Sequence, residues 1–199
     1  MELIPQATGV EPMGHPHIAL IGRARSGKDT VAARLVSRFA YTRVAFADPL
    51  KSVALGVDPI VAYEPSGYGP LPTRLSAVVQ RYGWEVAKDK FPEVRRTLQL
   101  AGQAVREQDA GFWLGLALDK VTVADTWNLP VVITDCRYPN EAEALRVRGF
   151  KLVRITRPGY SDAEATHESE TALDDYPTDA TIANVGTAAY LNTLADALT

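Results

Sequence analysis

The sequence predicts an α/β domain in which a central parallel sheet carries helices on both faces. Three observations lead there. Two short apolar runs, Ile18-Ala19-Leu20-Ile21 and Val131-Val132-Ile133-Thr134, have the character of strands buried on both sides. Other segments space their apolar residues three or four apart, as an amphipathic helix does. The two patterns alternate along the chain, the order expected of an α/β domain.

Taken in order, residues 1–16 contain Pro5, Pro12, Gly14 and Pro16 with little periodicity and read as a loose N-terminal arm, leaving 17–199 as one domain. The run Ile18–Ile21 stops at Gly22. From Lys28 the pattern turns helical, with Val31, Leu35 and Phe39 four apart. Arg43 to Phe46 is the next strand, and Pro49 suits the first turn of a helix behind Asp48. Residues 57–73 are rich in Pro and Gly and read as a loop or small lobe, part of a substrate-side insertion over 57–91. Helices follow over 92–107 and 110–124. Pro130 opens the second apolar run, and Pro139 starts a helix that stops at Gly149 behind Arg146 and Arg148. Phe150 to Ile155 is a strand, 157–170 a lid-like loop, Thr181 to Ala183 a weaker strand. Tyr190, Leu191, Leu194 and Leu198 form one stripe of a closing helix, whose leucines serve either the core or a homodimer interface.

Composition removes several classes of function. With 199 residues, 46% of them hydrophobic and 23% charged, the chain has enough apolar surface to fold without staples. One cysteine makes no internal disulfide, and no Cys/His cluster has zinc spacing. No apolar run approaches the roughly 18 residues of a membrane span, and no basic stretch precedes a long apolar one at the N-terminus, so the expected setting is a reducing cytoplasm with no membrane partner. The net charge of −3 argues against a nucleic-acid polymer as partner. That charge is unevenly spread: residues 1–157 hold all 21 Lys and Arg against 16 acids, while 158–199 hold 8 acids and no Lys or Arg. The first part suits anions, or is a solvated surface with uneven charge patterning.

The sharpest motif is Gly22-Arg23-Ala24-Arg25-Ser26-Gly27-Lys28-Asp29-Thr30, which fits G-x-x-x-x-G-K between a strand and a helix. Its glycines let the backbone curl so that successive N–H groups face phosphate oxygens. The helix beginning near Lys28 adds the positive end of its dipole, and Lys28 a mobile charge for the β- and γ-phosphates. Asp29 stands where a hydroxyl usually binds Mg2+. Either its carboxylate holds the metal, or it is an N-terminal helix residue while Thr30 contacts a phosphate.

The second motif is Asp135-Cys136-Arg137-Tyr138-Pro139-Asn140-Glu141 at the end of a buried strand, where ligands collect in open parallel sheets. Asp135 would serve Mg2+ and Arg137 would clamp a phosphate, unless the two simply pair. On the helix at 92–107, Arg96, Gln99, Gln103 and Arg106 fall within roughly 80° of one another, opposite Val94, Leu98, Ala101 and Val105. That polar face could read an acceptor's phosphate and base, or be solvated. Asp48 and Lys51 flank the end of the second strand and could bind sugar or phosphate, with helix capping as the plainer role for Asp48. Phe46, Tyr82, Trp84 and Trp113 are stacking candidates that also suit a core. Arg154 and Arg157 precede the lid-like loop, from which Arg157 could swing onto the transferring phosphate. Asn184-Val185-Gly186 lies between the last strand and helix, a place for adenine contacts. His167 and Cys136 read as structural residues.

Together, Gly22 to Thr30, Phe46-Ala-Asp48-Pro-Leu-Lys51, Asp135 to Glu141 and His167-Glu-Ser-Glu170 resemble bacteriophage-type deoxynucleoside monophosphate kinases over about residues 17–198. The resemblance implies a P-loop NTPase fold of the nucleoside monophosphate kinase kind. It implies transfer of the ATP γ-phosphate to a deoxynucleoside monophosphate with Mg2+, in host cytoplasm if the chain is of phage origin. Lys28 is then the phosphate-loop lysine and Arg137 the acidic-strand arginine. Phosphomevalonate kinases look similar through the same loop and an H-x-S-E segment. A non-catalytic nucleotide-binding regulator is the reading from another class; the polar face at 92–107 is more than such a switch requires.

Overall fold

The computed structural model describes residues 14–159 and 168–199. The N-terminal arm up to residue 13, most of the lid-like loop and His167 lie outside the described residues. The chain falls into two compact units, one over Phe46–Ala117 and one from the residues on either side of it.

The flanking unit holds a five-stranded sheet, β1 (Ile18–Ile21), β2 (Thr42–Val44), β5 (Val131–Cys136), β6 (Lys151–Thr156) and β7 (Ala180–Ala183), in the order β2-β5-β1-β6-β7. Every pairing is parallel. The apolar runs read from the sequence are its centre: Ile18, Ala19, Leu20, Val131, Val132 and Ile133 are fully buried. Ile18, Leu20, Val132, Val153 and Ile155 pack with Val31 and Leu35 of α1 (Lys28–Phe39) and Leu191, Ala195 and Leu198 at the C-terminal end, where α7 (Ala188–Asp196) lies. Strand residues alternate faces, so the complete burial of Ala19, Ile133 and Leu152 means the opposite face is covered as well. The stripe on the last helix is therefore largely core, with Leu191 buried and Tyr190 half-exposed. α6 (Pro139–Val147) ends before Gly149, whose φ of 79° is the left-handed conformation expected of a glycine stop.

The Phe46–Ala117 unit contains α2 (Ala47–Val57), the hairpin β3 (Ile60–Glu64) and β4 (Leu71–Arg74), α3 (Leu75–Lys90) and α4 (Pro92–Gln108); α5 (Phe112–Thr126) runs on past its end. Its core gathers Ala54, Val61, Leu75, Val78, Ala87 and Val94. The 57–91 insertion read from the sequence lies within it. The Pro/Gly-rich stretch forms an antiparallel hairpin, whose turn at Ser66–Gly69 is closed by reciprocal backbone hydrogen bonds of 3.2 and 3.1 Å. α3 carries no sequence expectation of its own, because Gly83 (φ 71°, ψ 164°) breaks it in the middle and interrupts the periodicity. The second strand ends at Val44, two residues short of expectation: Phe46 already has helical angles and α2 begins at Ala47.

Candidate active site

β1 lies between β5 and β6, with Ile21 opposite both Cys136 and Arg154. The chain leaving β1 therefore emerges between two strand ends. Only glycine fits there: a Cβ on Gly22, at φ 148°, would stand 2.3 Å from the Ile155 carbonyl oxygen. Gly27 (φ 112°) precedes α1, and a Cβ on it would stand 2.8 Å from Asn184 Nδ2. Between them Ser26 N–H donates to the Arg23 carbonyl at 3.3 Å, and Arg25 adopts φ 58°. Ser26 is buried, and its Oγ has no hydrogen-bond partner among the described residues. No side chain caps α1. A tight turn, an uncapped helix start and an orphaned hydroxyl are the features of a loop that receives an anion.

Lys28 is 8% exposed and donates to the carbonyls of Gly22 (2.6 Å) and Arg23 (2.7 Å). Its pKa is pushed down to about 8, first by burial and then by the nearby Arg137 charge, against the pull of Glu170, Asp29 and Asp135. Asp29 is exposed in the first turn of α1, and Thr30 and Asp135 are half-buried. Among the described residues, no three His, Cys, Asp or Glu side chains are grouped to hold a metal.

Past β5, the backbone N–H groups of Arg137 and Tyr138 both donate to Glu141 Oε2, at 2.8 and 3.1 Å, and Glu141 is 3% exposed. This carboxylate fixes the turn that presents Arg137. The Arg137 side chain does not fall to Asp135 alone. Its Nη1 donates to the Ser169 carbonyl at 3.3 Å and forms an ion pair with Glu170 Oε1. The other Glu170 oxygen accepts the Ala24 N–H of the loop at 2.8 Å. Burial opposes the charge on Glu170, yet Arg137, the Ala24 N–H and Lys28 together hold its pKa below the usual carboxylate value. Neighbouring Cys136 is 1% exposed, and its thiol is pushed up by burial and by Glu141 and Asp135.

The sequence motif His167-Glu-Ser-Glu170 assigns Glu170 no contact, because its partners lie 33 and 146 residues away. The segment carrying it is strapped to the 22–27 loop, β6 and α6. Asp174 pairs with Arg23 at 2.5 Å, Arg154 donates to the carbonyls of Leu173 (2.9 Å) and Tyr176 (2.6 Å), and Arg146 donates to that of Pro177 (2.7 Å). Arg154 is thus a structural clamp. Arg157 is exposed at the end of β6, with Nη1 3.4 Å from the Arg25 carbonyl. A cavity of about 230 Å3 runs beside the loop, lined by Gly22, Ser26, Thr156 and Arg157 among others. Asn184 donates Nδ2 to the Ser26 carbonyl at 2.9 Å, so its amide braces the loop; Gly186 lies beside Tyr190.

The remaining predicted residues sit in the Phe46–Ala117 unit. Asp48 pairs with Lys51 at 3.6 Å, inside α2 and without capping it, and Lys51 Nζ is 5.8 Å from the Trp84 ring centroid. On α4, Arg96 pairs with Glu93 at 3.3 Å and Gln103 Nε2 lies 3.5 Å from Glu107 Oε1; Gln99, Gln103 and Arg106 are half-buried. On α4, Val94 and Gly102 are buried, Leu98 packs against the core that holds Val94, and Ala101 and Val105 are half-buried. Trp113 is buried with Nε1 donating to the Gly102 carbonyl at 3.2 Å, and Phe46 is buried too, so both are packing residues. No described helix is long and apolar enough to cross a membrane.

Comparison with known proteins places this architecture. Residues 77–194, more than half of the chain, match the family "Deoxynucleotide monophosphate kinase"; the span includes Asp135, Arg137 and Glu170 and begins after the Gly22–Thr30 loop. A protein of Acanthamoeba polyphaga mimivirus named "Putative deoxynucleotide monophosphate kinase" is 27% identical over 168 residues, 78% of this chain and 81% of that one. Two uncharacterized proteins of Ictalurid herpesvirus 1 (strain Auburn) are also similar. ORF77 is 42% identical over 89 residues, 43% of this chain and 39% of its own length. ORF76 is 30% identical over 180 residues, 87% of this chain and 63% of its own length. The chain thus spans less than two-thirds of either herpesvirus protein. With a parallel sheet, a glycine-bounded loop and this match, the chain belongs to the deoxynucleotide monophosphate kinase family.

Proposed function

We propose that the chain transfers the γ-phosphate of ATP to a deoxynucleoside 5′-monophosphate, giving a deoxynucleoside diphosphate and ADP. The observation that carries this is Lys28, a nearly buried ammonium held at the mouth of the Gly22–Gly27 turn by the carbonyls of Gly22 and Arg23. Family membership supports the acceptor class.

In this reading an oxygen of the acceptor's phosphate attacks the γ-phosphorus, and the bond to the β–γ bridging oxygen breaks. The acceptor is largely dianionic near neutrality because its second pKa is about 6. No strong general base is then required, and the work is to align two mutually repelling anions and neutralise their charge. Gly22 to Thr30 hold the triphosphate through backbone N–H groups, the Ser26 hydroxyl and Lys28. Arg137 and Arg157 balance charge on the transferring group. Asn184 and Gly186 border the nucleotide. Asp48, Lys51, Arg96, Gln99, Gln103 and Arg106 hold the acceptor, and 157–170 acts as a lid within one catalytic domain over 17–199.

Asp29 and Asp135, with the Thr30 hydroxyl nearby, are an oxygen donor set that suits Mg2+, which takes one or two carboxylates and fills its remaining positions with water and phosphate. When bound, Mg2+ would neutralise charge shared between the β- and γ-phosphates.

The test is ADP release measured with each deoxynucleoside monophosphate, ribonucleoside monophosphate and phosphomevalonate added singly. Release that depends on deoxynucleoside monophosphates is the expected result. Release with phosphomevalonate alone would move the chain to another small-molecule kinase class. Independence from every acceptor would make it a nucleotide-binding regulator.

A further inference from the structure

The geometry points to Glu170 as the positioning residue for Arg137: its carboxylate bridges the guanidinium to the Ala24 N–H of the phosphate loop and so fixes Arg137 at the loop's mouth. The inference rests on the kinase reading for its kinetic consequence, but the bridge is a matter of structure. One oxygen accepts from the loop at 2.8 Å and the other from Arg137 Nη1. The Glu170 side chain is 8% exposed, against 31% for Arg137, so the anchor is the buried partner and the anchored group keeps an open side. The Arg137 backbone is held separately by Glu141, and the Ser169 carbonyl takes a second bond from Nη1. Backbone and side chain are therefore each constrained by their own carboxylate. A guanidinium restrained in this way loses less freedom when it meets a phosphate, which is how preorganisation lowers a barrier.

The chemistry of the bridge makes it testable. A carboxylate accepts at both oxygens, whereas a carboxamide accepts at one end and donates at the other. Glu170→Gln must therefore set a donor against either Ala24 N–H or Arg137. Steady-state kinetics on the full chain should then show kcat lower by about tenfold or more, with KM for ATP changed by less than about threefold. Glu170→Asp keeps the charge on a shorter stem and should restore part of that loss. In an Arg137→Ala background the Glu170→Gln change should have almost no further effect, because residues acting as a unit are not additive. Full kcat in Glu170→Gln, multiplicative losses in the double variant, or tighter ATP binding in Glu170→Gln would each overturn the inference. The last result would make Glu170 an occupant that phosphate displaces.

A second arm needs no turnover. The Arg137 guanidinium N–H signal, assigned by its loss in Arg137→Ala, should be slow to exchange in the wild-type chain and fast in Glu170→Gln, while the folded backbone spectrum persists. Equal exchange in the two would overturn the bridge. If the wild-type chain releases no ADP with any monophosphate, the kinase reading fails and this signal alone decides the matter.

Discussion

Asn184 donates its side-chain amide to the carbonyl of Ser26 at 2.9 Å, tying the phosphate loop to the turn that follows β7, 158 residues further along the chain. The bond fixes one peptide of the loop from outside it. Asn184→Ala removes the donor and leaves a part-buried carbonyl short of a partner, a loss of about 1 kcal/mol. Thermal unfolding should show a modest drop, and KM for ATP should rise by roughly fivefold as the loop loses its brace. An unchanged KM would mean that the loop holds its shape without Asn184.

Lys28 gives two outcomes. Lys28→Ala should lower kcat by about a hundredfold or more in a folded protein. Since the pKa of Lys28 is about 8 in the free chain, kcat/KM for ATP should fall as pH rises through that value and the ammonium loses its proton.

The same displacement acts on stability with the opposite sign. The folded state releases the Lys28 proton near pH 8, whereas the unfolded chain keeps it up to the ordinary 10.5. Between these values the unfolded state binds more protons, so stability rises with pH there. Holding the charge below pH 8 costs on the order of 3 kcal/mol. Chemical denaturation of the wild type and Lys28→Met should show the variant's advantage shrinking from pH 8 towards 10.5. A constant difference would show that the lysine titrates normally.

Glycine positions separate cleanly. Gly22→Ala forces a methyl to 2.3 Å from the Ile155 carbonyl at a φ of 148°, so it should cost several kcal/mol and abolish ATP binding. Gly67→Ala meets nothing within 4 Å among the described residues and has no positive φ, so its melting temperature and kinetics should match the wild type.

Glu141→Leu removes the buried carboxylate oxygen to which the N–H groups of Arg137 and Tyr138 both donate. Two lost acceptor contacts cost about 2–5 kcal/mol. Denaturant titration should show a markedly lower midpoint, and kcat should fall further than in Asn184→Ala because the turn carrying Arg137 is loosened.

What could be read beforehand followed the range of the physics. Residues 18–21 and 131–134 announced buried strands because continuous burial leaves a continuous apolar run. The glycine-bounded loop between β1 and α1 was legible because strand, glycine turn and helix start fall within thirteen residues, Ile18 to Thr30. Glu170 and Asn184 were not legible in their observed roles, since each meets the loop across more than a hundred residues of chain. On α4 the expected stripe holds at Val94 and at Leu98, which packs against the same core, but its second buried residue was not legible. Gly102 is buried under Trp113 and Leu50, a packing that hydrophobicity does not record because glycine has no side chain to count.

The burial of Cys136 has a practical side. It is the chain's single cysteine, almost wholly covered, and its thiolate is disfavoured by burial and by two carboxylates. Maleimides and mild oxidants act on accessible thiolates. Any cysteine engineered onto the surface, for a fluorophore or spin label that follows nucleotide binding, would therefore be the one that reacts.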